Sequence, residues 1–194
     1  MKKVFSWKAA FWGLVALLFI MIIGLGIFLL QPIEHKSYTP SNLDEEAFIP
    51  ISVQAEKTAI NDLIHRYMKH EGLGGSLNYS VVLNNEVELY GSFEVFDQQL
   101  EFLMLFETRV LENGDLWLKE KSLHIGGLEV PSSYVLKFIQ GHYDLPEWVS
   151  IHPADHAIYV SLTQLQLDNG ARIKMKEFDL QNDDIELTLL VPKS

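Results

Sequence analysis

From Ala9 to Leu30 every residue is apolar or Gly, and no other stretch narrows the possible folds as far. At about 1.5 Å rise per residue, a helix of this length crosses a hydrocarbon core of about 30 Å. Lys2, Lys3 and Lys8 precede the run, while Glu34 and the Asp44-Glu45-Glu46 cluster follow it. The positive-inside rule then puts the N-terminus in the cytoplasm and the bulk of the chain outside the cell, as a single-pass protein of the cell membrane. A cleaved signal peptide is the rival reading, but its apolar region is about 7 to 15 residues long and ends at a small-residue site. Here a longer run leads into Phe28-Leu29-Leu30-Gln31-Pro32, so an uncleaved anchor is preferred. Gly13, Gly24 and Gly26 form no small-xxx-small pair, which makes the anchor a simple tether.

The 194 residues leave room for one folded domain beyond such an anchor. Setting aside the three lysines before the run leaves 12 basic residues against 26 acidic ones, a formal −14 outside the membrane. That balance excludes an electrostatic grip on nucleic acid. The chain has no Cys, which excludes disulfides, thiolate catalysis, Cys-ligated zinc and an acylated lipoprotein cysteine. Pro32, Pro40 and Pro50 punctuate a polar stretch of linker composition. The organisation read from the sequence is an anchor over 1–30, a linker over 31–50 and an extracytoplasmic domain over 51–194.

Within the domain, Ile60, Leu63, Ile64, Tyr67 and Met68 recur at helical spacing between Lys57 and Glu71, before Gly72. A second, shorter helix follows Pro131 and Ser132, with Val135, Phe138 and Ile139 on one side and Gly141 near its stop. Elsewhere the period is two: Tyr79, Val81, Leu83; Val87, Leu89, Phe93, Val95; Leu100, Phe102, Met104, Phe106, Val110. Asn84-Asn85 and Asn113-Gly114 supply turns, and apolar parity shifts between Leu116-Leu118 and Leu123-Ile125, as a bulge requires. Strands are further predicted over Trp148 to His152, Ile158 to Leu167, Arg172 to Phe178 and Ile185 to Val191. The fold class is α+β: helix, four strands, helix, four strands, with about eight strands in one curved antiparallel sheet.

Eight strands at about 4.8 Å make a sheet of about 38 Å, and two helices of about 11 Å cover only part of it. The remaining apolar face either closes on itself or forms a groove for a ligand or partner. Leu100, Phe102, Met104 and Phe106 share one side of a strand, with Glu101, Glu107 and Arg109 marking the wet side. Placed opposite Ile60, Leu63, Ile64, Tyr67 and Met68, they are the candidate apolar ligand-binding residues.

Catalytic and metal-ligating sets are not evident. His152-Pro-Ala-Asp155-His156 gathers two imidazoles and a carboxylate, but its Pro and its place between strands make it a solvated turn. His65 and His70 lie half a turn out of phase on a helix. Gly-x-Ser-x-Gly, Walker, His-Glu-x-x-His and dinucleotide patterns are absent, and Gly72-Leu-Gly-Gly75 precedes a strand rather than a helix. Glu86, Glu88, Glu94 and Glu107 fit solvated strand positions better than an acid and base pair. Asn78-Tyr79-Ser80 matches a glycosylation acceptor at a strand start. No cofactor, metal or enzymatic activity is expected.

Several stretches carry a family resemblance: Tyr79-Ser-Val-Val-Leu-Asn-Asn-Glu-Val-Glu-Leu-Tyr-Gly91, Gly114-Asp-Leu-Trp-Leu-Lys119, Val130-Pro-Ser-Ser-Tyr-Val-Leu-Lys-Phe-Ile139 and Leu145-Pro-Glu-Trp-Val149. On these the chain resembles, from anchor to C-terminus, the YpmS-like family of Gram-positive bacteria. The resemblance implies a single-span envelope protein without an assigned reaction and brings no catalytic residues with it. The order of elements is also similar to that of tubular lipid-binding domains, an analogy of architecture only. The function these readings favour is a non-enzymatic, membrane-anchored module that binds a lipid or other apolar ligand. An interaction scaffold for envelope proteins is the alternative, and a hydrolase is a further one.

Overall fold

The computed structural model describes residues 11–12, 14–21, 23, 45–70, 79–95, 98–126, 131–142, 145–167 and 169–193. Much of the expected anchor, linker residues 31–44, the Gly72-Leu-Gly-Gly75 loop and Asn78 lie outside this set. The chain divides into two compact units, Met1–Glu34 and His35–Ser194. In the first, residues 11–12, 14–21 and 23 are helical, and Trp12, Ile20 and Met21 are among its exposed apolar side chains. Among the described residues no helix is long and apolar enough to cross a membrane, so the expected spanning helix is not one of the described elements.

The second unit is α+β. A short 3-10 helix, Glu45–Ala47, leads into β1 (Phe48–Ala55) and α1 (Lys57–His70). Strands β2 (Tyr79–Leu83), β3 (Val87–Val95), β4 (Gln98–Val110) and β5 (Leu116–Ile125) form an antiparallel meander, followed by α2 (Ser132–His142). Then come β6 (Val149–His152), a 3-10 turn at Pro153–Asp155, β7 (Ala157–Val160), β8 (Arg172–Asp179) and β9 (Asp184–Pro192). The meander arises from the alternation read in the sequence, with Phe102, Met104 and Phe106 inside and Glu101, Glu107 and Arg109 outside on β4. The parity shift on β5 is a bulge: Leu105 pairs with Ser122 and Phe106 with Glu120, leaving Lys121 as the extra residue. Gly91 on β3 faces Phe102, whose ring occupies the space a side chain at position 91 would need.

Two corrections to the expected sheet follow from the pairing. The strands described number nine, not eight, and they lie in two sheets, β1-β9-β8 and β2-β3-β4-β5-β7-β6. The added strand is β1, beginning at Phe48 inside the stretch read as linker; Pro50 in its middle hid the alternation of Ile49, Ile51 and Val53. The sheets part because the strand expected over 158–167 ends at Val160. Ser161 and Thr163 turn instead toward Asp115 and donate to its carboxylate from Ser161 Oγ, Thr163 N and Thr163 Oγ1, at 3.3, 2.9 and 2.9 Å. With the chain diverted there, β8 pairs with β9 rather than extending the larger sheet.

One apolar core joins the sheets. It includes Leu83, Leu89, Met104, Phe106, Leu118 and Ile158 from the larger sheet, Met175 and Ile185 from the smaller, and Val135, Leu136 and Ile139 from α2. At about 25 cal/mol per Å² of apolar surface, burial of side chains this size is the largest favourable contribution to the fold.

Candidate functional site

Helix α1 makes polar contacts near its start, one turn on and near its end. The β8–β9 turn caps its start: Asp183 Oδ1 accepts from Lys57 N at 2.8 Å, and Lys57 Nζ donates to Leu180 O at 2.6 Å. One turn on, Asn61 pairs with the outer edge of β2, donating to Leu83 O at 2.9 Å and accepting from Leu83 N at 2.8 Å. An amide side chain so stands in for a missing strand on this edge. Further along, Trp148 Nε1 donates to Tyr67 Oη at 3.3 Å, the rings meeting edge-on at 5.7 Å. Trp148 lies beside β6, the opposite edge of the six-stranded sheet. From Asn61 to Tyr67 the helix rises about 9 Å, against roughly 24 Å across five flat strand spacings. Side chains extend the reach, and the curl of the sheet supplies the rest.

The apolar stripe of α1 covers the interior without entering it. No α1 side chain is fully buried. Ile60 and Ile64 pack against the core, Tyr67 and Met68 are half-buried, and Leu63 is 61% exposed. In the same core cluster Phe102, Met104 and Phe106 are buried, and Leu100 packs on it half-buried. Of the nine candidate residues, the structure therefore gathers Ile60, Ile64, Leu100, Phe102, Met104 and Phe106 about one core. Tyr67 is directed to Trp148, Met68 is half-buried and Leu63 faces solvent.

A second apolar surface was missed with β1. Ile49, Ile51 and Val53 stand opposite Val191, Leu189 and Leu187, on a face that is buried at Ile185 and open at Ile49 and Ile51. The sequence held a signal for it, three aliphatic residues at alternate positions from 49 to 53.

Two polar clusters were also not foreseen. Asp115, fully buried, accepts hydrogen bonds from Tyr159 Oη and Asn113 Nδ2 in addition to Ser161 and Thr163. These donors compensate the desolvation of the carboxylate and fix the β4–β5 turn to the segment after β7. Gly114 in that turn has a φ of +87° and its oxygen accepts from Met175 N at 2.8 Å, fastening the smaller sheet to the same point.

The other cluster ties β5 to α2 and the 3-10 turn. Ser132 Oγ donates to Glu120 Oε2 at 2.9 Å and lies 2.7 Å from His156 Nδ1, which is itself 3.9 Å from Glu120 Oε2. A serine relay uses the two imidazole nitrogens in turn, one toward the hydroxyl and one toward the acid. Here a single nitrogen faces both groups, and the serine proton goes to the carboxylate. The arrangement differs from that relay and ties the start of α2 to β5 and the 3-10 turn. His152, buried rather than solvated as expected, meets the Trp117 ring at a tilt with centroids 5.2 Å apart and lies 4.0 Å from Asp155, so the two imidazoles of the expected turn engage different partners.

Surface electrostatics are local. A hydrogen bond to Glu88 raises the Tyr90 phenol above its ordinary value, and one to Glu86 does the same for the Lys121 ammonium. In the turn that caps α1, hydrogen bonds from Asn182 hold the Asp179 carboxyl below the usual carboxylate range.

Comparison with known proteins gives a consistent assignment. The family described as "Uncharacterized protein conserved in bacteria (DUF2140)" matches residues 6–191. "Uncharacterized protein YpmS" of Bacillus subtilis (strain 168) is 29% identical over 188 residues, covering 97% of this chain and 98% of the relative. No solved structure matches the chain.

Proposed function

The chain belongs to the DUF2140 family, and from that premise we propose that it is a membrane-anchored, extracytoplasmic, non-enzymatic module that holds a lipid or other apolar ligand under α1. The observation that carries this reading is the mode of attachment of α1. A helix that faces the core with Ile60 and Ile64, buries no side chain completely and is pinned by Asp183, Leu83 and Trp148 can lift without dismantling the sheet. Lifting it would uncover the apolar core that Ile60 and Ile64 pack against, whose cluster includes Phe102, Met104 and Phe106 with Leu100 packed on it. Anchoring is supported by the apolar run over residues 9–30 with lysines before it and acids after it.

The test uses the absence of Cys in the chain. Tyr67→Cys and Trp148→Cys, joined by a short bifunctional thiol reagent, would fasten α1 to the edge beside β6. A fluorescent fatty acid presented in phosphatidylcholine vesicles should bind saturably to the unbridged double variant and lose that binding on bridging. Equal binding in both states, or none in the unbridged and parent proteins, would reject the ligand reading and leave the interaction scaffold.

A further inference from the structure

One end of the small sheet carries exposed aliphatic side chains. Register places Ile49, Ile51 and Val53 on the same face as Val191, Leu189 and Leu187. This face closes onto the core at Ile185, while Ile49, Ile51 and Val53 are 50%, 46% and 37% exposed. Ala47 O accepts from Lys193 N at 2.9 Å, which sets the phase of the ladder. The amides of odd-numbered β1 residues turn toward β9, and those of Phe48, Pro50, Ser52 and Gln54 turn to the outer edge. Pro50 lacks a donor exactly where an added strand would need one, so β1 is a poor template for strand addition.

The occupant must then recognise aliphatic side chains rather than backbone. A second copy would bring together two domains of formal charge −14, which repel one another. A zwitterionic bilayer offers an apolar phase without that opposition. With the anchoring proposed above, the 18 residues from 30 to 48 set a limit of about 60 Å, fully extended, on its distance from β1. Tethering at that range raises the effective concentration of bilayer surface at β1, the first strand after the anchor.

We propose that the face formed by Ile49, Ile51 and Val53 seats in the bilayer interface, giving the domain a second membrane contact. The proposal rests on the anchoring half of the function above and is independent of the ligand under α1. Side chains on the opposite face of β1, Ser52 and Gln54, stay in water.

The experiment reconstitutes the full chain in phosphatidylcholine vesicles with a nitroxide at Ile51→Cys or, as the wet reference, at Ser52→Cys. Position 51 should lose collisions with an aqueous nickel chelate and gain collisions with oxygen, while position 52 stays open to nickel; Ile49→Cys and Gln54→Cys should repeat the contrast. Nickel access at 51 equal to that at 52, in a chain that floats with the vesicles, overturns the docking and leaves the anchor. Dipolar coupling between nitroxides at 51 overturns it in favour of a second copy. A chain that does not float removes the anchor and the docking together.

Discussion

The two α-helices described in the second unit share a sequence design and differ in how they are held. Each has aliphatic residues at helical spacing, and on spacing alone α1 is the stronger case, with Ile60, Leu63, Ile64, Tyr67 and Met68 in one stripe. Yet α1 buries no side chain completely, whereas the shorter α2 buries Val135, Leu136 and Ile139 together with Ser132 and Ser133. Helix α2 is held by packing and by the Ser132, Glu120 and His156 contacts, and Gln140 Nε2 also reaches Ile151 O at 3.0 Å. The contacts described for helix α1 include a cap, an amide pair on a strand edge, an aromatic hydrogen bond and the packing of half-buried Ile60 and Ile64 on the core. Amphipathicity shows which side of a helix turns inward; the depth to which it sinks depends on what already fills the interior. Here α2 and the sheet fill it, and α1 lies on top.

The contrast predicts graded losses of stability. Leu136→Ala removes a fully buried α2 side chain and should cost about 2–5 kcal/mol in chemical denaturation. Met104→Trp puts added volume into the closed interior and should cost about 1–3 kcal/mol through overpacking. If Met104→Trp instead leaves stability unchanged, the interior beneath α1 has spare volume and the packing described for it is wrong. Asn61→Ala should cost about 1 kcal/mol by unpairing the Leu83 amide and carbonyl. At Leu63, 61% exposed on the same helix, substitution by Ala should change stability by less than about 0.5 kcal/mol.

Acid provides a finer probe of the α1 side. The Asp179 carboxyl is held low by its hydrogen bonds from Asn182, so its contribution is present above the ordinary carboxylate pKa and is lost as pH falls through the lowered value. Amides of the Asp179 to Asp184 turn should therefore lose protection in acid before those of α2, as pH-dependent NMR would report. Asp179→Asn should abolish that early change.

Much of the fold was legible because local chemistry and long-range packing agreed. Alternation along β2 to β5 and the turns at Asn84-Asn85 and Asn113-Gly114 specify both strand faces and the order of pairing. Legibility failed where one residue acted against its neighbourhood. Pro50 reads as a strand breaker, but its missing N–H lies at an outer edge, where it breaks nothing. Ser161 and Thr163 continue the alternation of β7, but Asp115, distant in sequence, draws them into a turn. Asp115 itself reads as part of an Asn-Gly-Asp turn, and nothing in its local sequence announces a fully buried carboxylate with donors from a segment nearly fifty positions on. The inward sides of α1 and β4 were legible as a pair of stripes, because period fixes direction. Exposure of Leu63 was not, because it depends on where α1 ends its approach to the sheet.

Native-state hydrogen exchange resolved by residue tests the central claim, that α1 is a separable cover on a core that includes α2. The amides of α1 should exchange through a local opening with a free energy well below that of global unfolding, at low denaturant dependence, while Leu136 and Ile139 exchange only with the whole domain. A saturating fatty acid should change protection in α1 and leave the α2 amides at the global limit. Protection of α1 equal to that of α2, rising and falling with it in denaturant, would contradict the account.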